Sequence, residues 1–187
     1  MPNNVMNRVV FNGTKDEIAK IFAFIKGENG AIDFNSIIPQ PVGIEETRAS
    51  YPAHEDAWMW KLRYGYPSWY EWNCDKWGTK WNAYEINTDG ASDNFIEFET
   101  AWSAPFPIIE RLAECFPNVG IRHLWADEDT GSNCGIREYI GKITTFENIP
   151  DSCTKEAYEI AFDLRPYLWD EYELVDGNYA LSDTFRE

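Results

Sequence analysis

An α+β sandwich, with an antiparallel sheet covered by helices on one face, is the fold that the sequence predicts. Two strand-then-helix patterns indicate it, one at the start of the chain and one near its middle. Two further strands, joined by an acidic turn, follow the second pattern. The predicted order is strand, helix, strand, then strand, helix, strand, strand. This is the order of a ferredoxin-like sandwich with split β-α-β connections.

The first pattern begins with an alternating strand over residues 5–11. Thr14 and Glu17 have the spacing of a capping box, in which each side chain accepts a hydrogen bond from the other residue's backbone N–H. A helix over residues 15–26 follows, with apolar side chains three and four residues apart. We expect residues 31–38 to be a short extended segment that completes this half.

The second pattern begins with a strand over residues 95–102. Strict alternation places Trp102 on the apolar face of this strand, and Glu97 and Glu99 on the other face, which we expect to be solvated. A helix over residues 105–116 follows, and both helices should lie on the same face of one sheet. The strands of that sheet are expected at residues 5–11, 95–102, 119–125 and 136–146.

The length of the chain, 187 residues, suits one domain with an appendage. We expect a ferredoxin-like domain over residues 1–150, interrupted by an aromatic insertion at about residues 40–92. Residues 151–187 should form a C-terminal extension. It would contain a helix from Asp151 to about Leu164 and then an acidic, aromatic tail that docks loosely.

The charge of the chain is strongly negative, with 32 acidic and 16 basic residues and a net charge of −16. Such a field repels nucleic acid and anionic membranes, and it favours a basic protein partner, such as a nucleic-acid-binding protein or a defence complex. Acidity can also serve solubility alone. The acids that would contact a basic partner are Glu97 and Glu99 on their strand, Asp127, Glu128 and Asp129 at the hairpin turn, and Asp170, Glu171 and Glu173 in the tail.

Tryptophan is concentrated in residues 68–84, which hold four of the nine tryptophans of the chain. Such a block forms either part of a core or a contact surface. We expect Trp77 and Trp81 to be mostly buried, with Gly78 allowing a tight turn between them. The alternative is a stacking platform for single-stranded nucleic acid, because four basic residues are interspersed with the rings. These are Lys61, Arg63, Lys76 and Lys80.

No catalytic, cofactor or metal site is predicted. The cysteines form no C-x-x-C pair, and the chain has two histidines. Residues 127–138 resemble a calcium-binding loop only faintly, because Ser132 replaces the glycine that such a loop requires, so we interpret them as a hairpin turn. The first residues contain no apolar signal segment, and we expect a cytoplasmic protein. An enzyme of unrecognised type is a further alternative.

Four motifs together resemble the YubB-type, or Api-like, family of ferredoxin-like domains. They are Asn7-Arg-Val-Val10, Asp33-Phe-Asn-Ser-Ile-Ile-Pro39, Trp77-Gly-Thr-Lys-Trp-Asn-Ala83 and Phe98-Glu-Thr-Ala-Trp-Ser-Ala-Pro105. The resemblance covers roughly residues 1–145. The most specific positions are Trp77, Gly78, Thr79, Lys80, Trp81 and Asn82.

This resemblance implies a ferredoxin-like fold and an origin in bacterial plasmids, genomic islands or phages, and it assigns no catalytic residue. Together with the charge, it predicts a non-enzymatic binding protein with a counter-defence role, anti-CRISPR or anti-restriction. Such a protein would occupy the nucleic-acid-binding surface of a basic host protein, as a nucleic-acid mimic does. The alternative is an accessory factor that binds single-stranded nucleic acid through the tryptophan block.

Overall fold

A computed structural model describes residues 3–49, 53–87 and 94–185. Within these residues, six strands form one antiparallel sheet in the order β2-β3-β1-β4-β5-β6, and two more form a separate hairpin. The strands of the sheet are β1 (Asn4–Asn12), β2 (Tyr84–Asn87), β3 (Phe95–Ala101), β4 (Gly120–Asp127), β5 (Gly135–Ile140) and β6 (Ile143–Asn148). The hairpin consists of β7 (Tyr172–Val175) and β8 (Asn178–Leu181).

Seven α-helices accompany these strands in the described part of the chain. Two of the three long helices connect strands of the sheet, and the third follows β6. The helices are α1 (Lys15–Ile25), α2 (Phe34–Ile37), α3 (Ala57–Tyr64), α4 (Trp69–Lys76), α5 (Phe106–Cys115), α6 (Lys155–Leu164) and α7 (Leu168–Glu171). None of these helices has the length and apolar composition needed to span a bilayer.

The predicted ferredoxin-like sandwich is confirmed. The order β2-β3-β1-β4, with α1 and α5 as the crossover connections, is the split β-α-β arrangement. Ile21 of α1 and Leu112 of α5 belong to the same buried cluster as Val9 and Phe11 of β1, so both helices cover one face of the sheet. The capping box also forms, since the Thr14 N–H donates to Glu17 Oε2 at 2.8 Å and the Glu17 N–H donates to Thr14 Oγ1.

The prediction for residues 31–38 is wrong, because this segment contains α2 instead of a strand. Asp33 caps α2 by accepting a hydrogen bond from the Asn35 N–H at 2.9 Å. Phe34 and Ile37, three residues apart, are both buried. The second strand of the fold is β2, and the connection from α1 to β2 spans residues 26–83. Residues 50–52 and 88–92 of the predicted insertion lie outside the described residues.

The segment predicted as one strand over residues 136–146 is two strands, β5 and β6. Gly141 lies between them at a φ of +57°, in the left-handed region that a tight turn needs. β6 therefore forms the outer edge of the sheet beyond β5.

The C-terminal extension packs tightly through α6, and the tail that follows is anchored at Leu168, Tyr172 and Tyr179. The other described side chains of the tail are exposed or half-buried, so the expected loose docking needs correction only at these three contacts. Ala161 and Phe162 of α6 share a buried cluster with Leu124 and Ala126 of β4. Met6 of β1, whose side chain points away from α1 and α5, also packs against this cluster, so α6 covers the opposite face of the sheet. The hairpin adds the rings of Tyr172 and Tyr179, each within 5.4 Å of the Phe162 ring.

Candidate functional site

The four sequence motifs lie in contact and connect to one another through hydrogen bonds. The Asn7 amide donates to Thr100 Oγ1 at 2.9 Å, which joins the first motif to the fourth. Thr79 Oγ1 donates to the Ala101 carbonyl at 2.8 Å, and Ser103 Oγ donates to the Gly78 carbonyl at 2.6 Å, which joins the third motif to the fourth. These bonds hold the tryptophan block against the end of β3.

The second motif joins the third through Asp33 and Asn82. Asn82 Nδ2 donates to Asp33 Oδ1 at 2.8 Å, and Asn82 Oδ1 accepts from the Phe34 N–H at 2.9 Å. Because the same Asp33 carboxylate also caps α2, one pair of side chains fixes both α2 and the segment before β2. The motif positions Asp33, Thr79 and Asn82 therefore act as structural connections.

Trp77 and Trp81, the two motif tryptophans, have different environments. Trp77 is 2% exposed, and its Nε1 donates to the Ile38 carbonyl at 2.9 Å. Gly78 turns the chain at a φ of +77°, where a Cβ would lie 2.7 Å from Pro107. Trp81 is 40% exposed. The burial of Trp77 and the turn at Gly78 are thus confirmed, whereas the expected burial of Trp81 is wrong.

An exposed aromatic cluster forms around Trp81 at the end of the sheet where β1 and β2 begin. Trp102 is 45% exposed, and the Lys80 ammonium lies 4.6 Å from the centroid of the Trp81 ring and 4.7 Å from that of the Trp102 ring. These distances are typical of cation–π contacts. Tyr70 meets the Trp102 ring edge-on, and Tyr84 meets the Trp81 ring in the same way. The aromatic cluster consists of Tyr70, Lys80, Trp81, Tyr84 and Trp102.

The backbone of Trp102 is in the left-handed region, with a φ of +71°. Large side chains rarely adopt this conformation, and it persists only where the surroundings hold it. The Trp102 N–H donates to the Asn3 carbonyl at 2.9 Å, and its carbonyl accepts from Asn133 Nδ2 at 3.1 Å. The Asp127 carboxylate accepts from the amides of both Asn3 and Asn133, each at 3.1 Å, and so fixes the two groups that hold Trp102.

A carboxylate cluster borders the aromatic cluster, and it consists of Glu85, Glu99 and Glu128. Tyr84 is paired with Glu99 across β2 and β3, and its hydroxyl donates to Asn4 Oδ1 at 2.7 Å. The Glu128 N–H donates to the carbonyl of the same Asn4 at 2.8 Å. Burial, followed by the charges of Glu99, Glu128 and Glu85, raises the pKa of Tyr84 to about 12.

Glu99 is half-buried and lies among charges of both signs. Burial is the main cause that raises the pKa of Glu99, and repulsion from Glu85 and Glu128 raises it further. The positive charge of Arg165 acts in the opposite direction. A cation that approached this end of the sheet would therefore relieve an existing repulsion.

Two of the acids predicted to contact a partner are buried in internal contacts. Glu97 is 8% exposed, and its Oε1 accepts from Arg8 Nε at 2.6 Å, so the expected solvated face is wrong at this position. Asp163 of α6 also pairs with Arg8, at 3.4 Å, and so the C-terminal extension covers this part of the sheet. Asp127 is 5% exposed because it holds the loop around Trp102.

The other predicted acids lie at or near the surface. Glu128, Asp129, Asp170 and Glu173 are exposed, whereas Glu99 and Glu171 are half-buried. Across residues 3–49, 53–87 and 94–185, none of these six forms an ion pair. The described residues also contain no group of three or more acidic, histidine or cysteine side chains arranged to hold a metal ion.

Trp102 and Tyr84 are site residues that the sequence reasoning missed. Trp102 lies within the fourth motif, but strict alternation along β3 places it inside the sandwich. The left-handed backbone breaks that alternation and turns the ring outward. One signal in the sequence could have indicated the exposed position of Trp102. The third and fourth motifs each contain a tryptophan, Trp81 and Trp102, which suggests that the two rings share one site.

Comparison with known families agrees with the fold and with the motif positions. Residues 76–169, half of the chain, match the family described as "Ferredoxin-like domain in Api92-like protein". The chain belongs to this family. The match includes the third and fourth motifs, and so all of the aromatic cluster except Tyr70, and it extends through α6. The family that the four motifs resembled is thus confirmed at this level.

Among solved structures, the chain is similar to the crystal structure of a protein api92 from Yersinia pseudotuberculosis. The two chains are 10% identical, and the alignment covers 81% of this chain and 99% of that one, with a TM-score of 0.49. No curated protein sequence matches the chain.

Proposed function

We propose that this Api92-like protein is a non-enzymatic, cytoplasmic binding protein of a plasmid or phage, and that its acidic surface binds a basic nucleic-acid-binding host protein or defence complex. The observation that carries the proposal is the carboxylate cluster beside exposed aromatic rings at one end of the sheet. Such a surface combines long-range attraction for a basic groove with large rings that contribute affinity on contact. The role would be counter-defence, of the anti-CRISPR or anti-restriction kind.

The charge distribution supports a basic protein partner over nucleic acid. The chain has a net charge of −16, and the exposed Glu128 and Asp129 lie in the turn that follows β4, next to the aromatic cluster. Carboxylates in such an arrangement imitate phosphates and steer association with a positively charged groove. Phosphate groups would be repelled by the same field.

The test is the association kinetics of a partner captured from nuclease-treated host lysate, measured at several salt concentrations. We expect the double variant Glu128→Lys/Asp129→Lys to slow association roughly 10-fold, with a smaller effect on dissociation. Affinity should fall as salt rises, because the screening length shrinks to about 3 Å at 1 M. Asp127 is left unchanged, since it holds the loop around Trp102.

The matched control is Glu28→Lys/Glu110→Lys, which changes the net charge equally at exposed acids between α1 and α2 and on α5. This control should slow association much less than the turn variant. Equal effects of the two double variants would mean that net charge alone acts. A salt-independent affinity, or a turn variant that binds like the unaltered protein, would overturn the proposal.

A second candidate function is that of an accessory factor for single-stranded nucleic acid. The exposure of Trp81 and Trp102, with Lys80 between them, favours it, because bases stack on such rings. The distinguishing measurement is binding of the purified protein to a single-stranded oligonucleotide at physiological salt. Binding that disappears in Trp81→Ala would support this second candidate.

A further inference from the structure

We infer that the space between the rings of Trp81 and Trp102 is a recognition site for an arginine side chain of the basic partner, and that Lys80 occupies it in the free protein. The inference rests on the proposed function, because it names the side chain that the partner would insert. The first observation is the geometry of Lys80, whose ammonium contacts both rings. Rings that hold one cation at these distances can hold another.

The backbone of Lys80 is fixed by a hydrogen bond, whereas its ammonium is held by the two rings and not by an ion pair. Its carbonyl accepts a hydrogen bond from Asn73 Nδ2 at 2.8 Å, which anchors the main chain. Its ammonium forms no ion pair with any carboxylate in the part of the chain that the structure describes. The flexible side chain can therefore move from the rings into solvent without disturbing the motif. A cation that binds the two rings more strongly can then take its place.

An arginine suits this site better than a second lysine does. A guanidinium is planar and weakly hydrated, so it stacks on indole rings, and its several N–H groups can pair with carboxylates at the same time. The carboxylates of Glu85, Glu99 and Glu128 lie around Tyr84, whose ring meets the Trp81 ring edge-on, and Glu85 and Glu128 repel Glu99 in the free protein. The ammonium of Lys80, a compact and strongly hydrated charge, cannot combine stacking and paired hydrogen bonds in this way.

The site is also fixed in advance. Trp102 keeps its left-handed backbone through Asn3, Asn133 and Asp127, so the ring is presented to solvent before any partner arrives. A rigid aromatic side chain loses little conformational freedom on binding and is a frequent source of interface affinity. This arrangement gives Asp127 a positioning role in place of the direct contact that the sequence suggested.

The test uses a ten-residue arginine peptide and a ten-residue lysine peptide as probes, with the full chain at physiological salt. The indole N–H signals of Trp81 and Trp102 are followed by NMR during each titration. We expect the arginine peptide to shift both signals and to bind roughly fivefold more tightly than the lysine peptide. Trp81→Ala should weaken arginine-peptide binding roughly fivefold, and Lys80→Ala should strengthen it.

The control is Trp58→Ala, because Trp58 is 71% exposed on α3 and lies outside the aromatic cluster. This variant should bind the arginine peptide like the unaltered protein. If Trp81→Ala also binds normally, or if both peptides bind equally, the acidic surface acts through charge alone. The inference is then overturned while the proposed function stands. Failure of both peptides to bind would also overturn it. A single-stranded oligonucleotide that displaces the arginine peptide would assign the rings to nucleic acid instead.

Discussion

Replacement of Trp77 by alanine is expected to lower the free energy of unfolding by about 3–5 kcal/mol, as other buried tryptophan truncations do. The ring is almost completely buried and meets the rings of Phe34 and Trp72 edge-on at 5.7 and 5.6 Å. The substitution would leave a cavity in the centre of the core and would also leave the Ile38 carbonyl without the Trp77 Nε1 donor. Because small domains have only about 5–15 kcal/mol of stability, this loss is large.

Urea denaturation followed by circular dichroism measures this effect, and Trp81→Ala is the matched control. Trp81 lies four residues further along the same motif, but its ring is 40% exposed, so we expect a loss below about 1 kcal/mol. The difference between the two stability losses separates the core role of Trp77 from the surface role of Trp81. Equal losses for the two variants would show that Trp81 belongs to the core and that the aromatic cluster is not a surface.

Stability is expected to fall steeply as the pH drops from about 6.5 towards 3, because of His123. Burial, with a smaller contribution from the charge of Arg137, lowers the pKa of His123 to about 3. In the unfolded chain the pKa of this histidine is near 6.5. Below that pH the unfolded state therefore binds a proton that the folded state does not bind. The free energy of unfolding thus falls by about 1.4 kcal/mol for each pH unit over this window, or by about 2–3 kcal/mol between pH 6.5 and 4.5.

The environment of His123 explains why it stays neutral. Its Nε2 lies 2.9 Å from Asn7 Oδ1, whose amide nitrogen donates to Val5 and Thr100, so Nε2 must be the donor. The other ring nitrogen, Nδ1, is buried without a hydrogen-bond partner in the described structure, and a proton there would be a buried, unpaired charge. The core position therefore tolerates only the neutral ring.

The comparison for this prediction is His123→Gln, whose amide can donate to Asn7 but does not titrate. Urea denaturation at pH 7.5 and at pH 4.5 gives the loss of stability for each protein. The unaltered protein should lose about 2–3 kcal/mol more than the variant, although the variant is the less stable of the two at pH 7.5. If both lose the same amount, His123 is not the group that titrates.

Local sequence patterns predicted the elements that depend on nearby residues. The alternation of β1 and the capping box of α1 involve residues a few positions apart, and both form as expected. The segment at residues 31–38 was mistaken for a strand because its helix has a single turn, which Asp33 caps and the core contact of Phe34 stabilises. β2 was missed because it has four residues and an irregular backbone at Glu85, where φ is +45°.

The candidate site depended on contacts between distant parts of the chain. Glu97 is buried against Arg8, which lies 89 positions earlier in the chain. No local sequence pattern indicates that pairing. Trp102 turns outward because of Asn3 and Asn133, which flank it only in the folded protein. The sequence did indicate that the motifs belong together, but it could not separate the motif residues that hold the structure from the exposed rings.

We propose that the partner contacts the aromatic cluster and the neighbouring acids. The test is hydroxyl-radical footprinting of the protein alone and in complex with its captured partner. Exposed tryptophans are oxidised readily, and the extent of oxidation is measured separately for each one. We predict that Trp81 and Trp102 become protected in the complex. Trp58 and Leu62 on α3, the latter 82% exposed, should stay as reactive as in the free protein. Protection of Trp58 and Leu62, with Trp81 and Trp102 unchanged, would contradict this proposal and place the contact on α3.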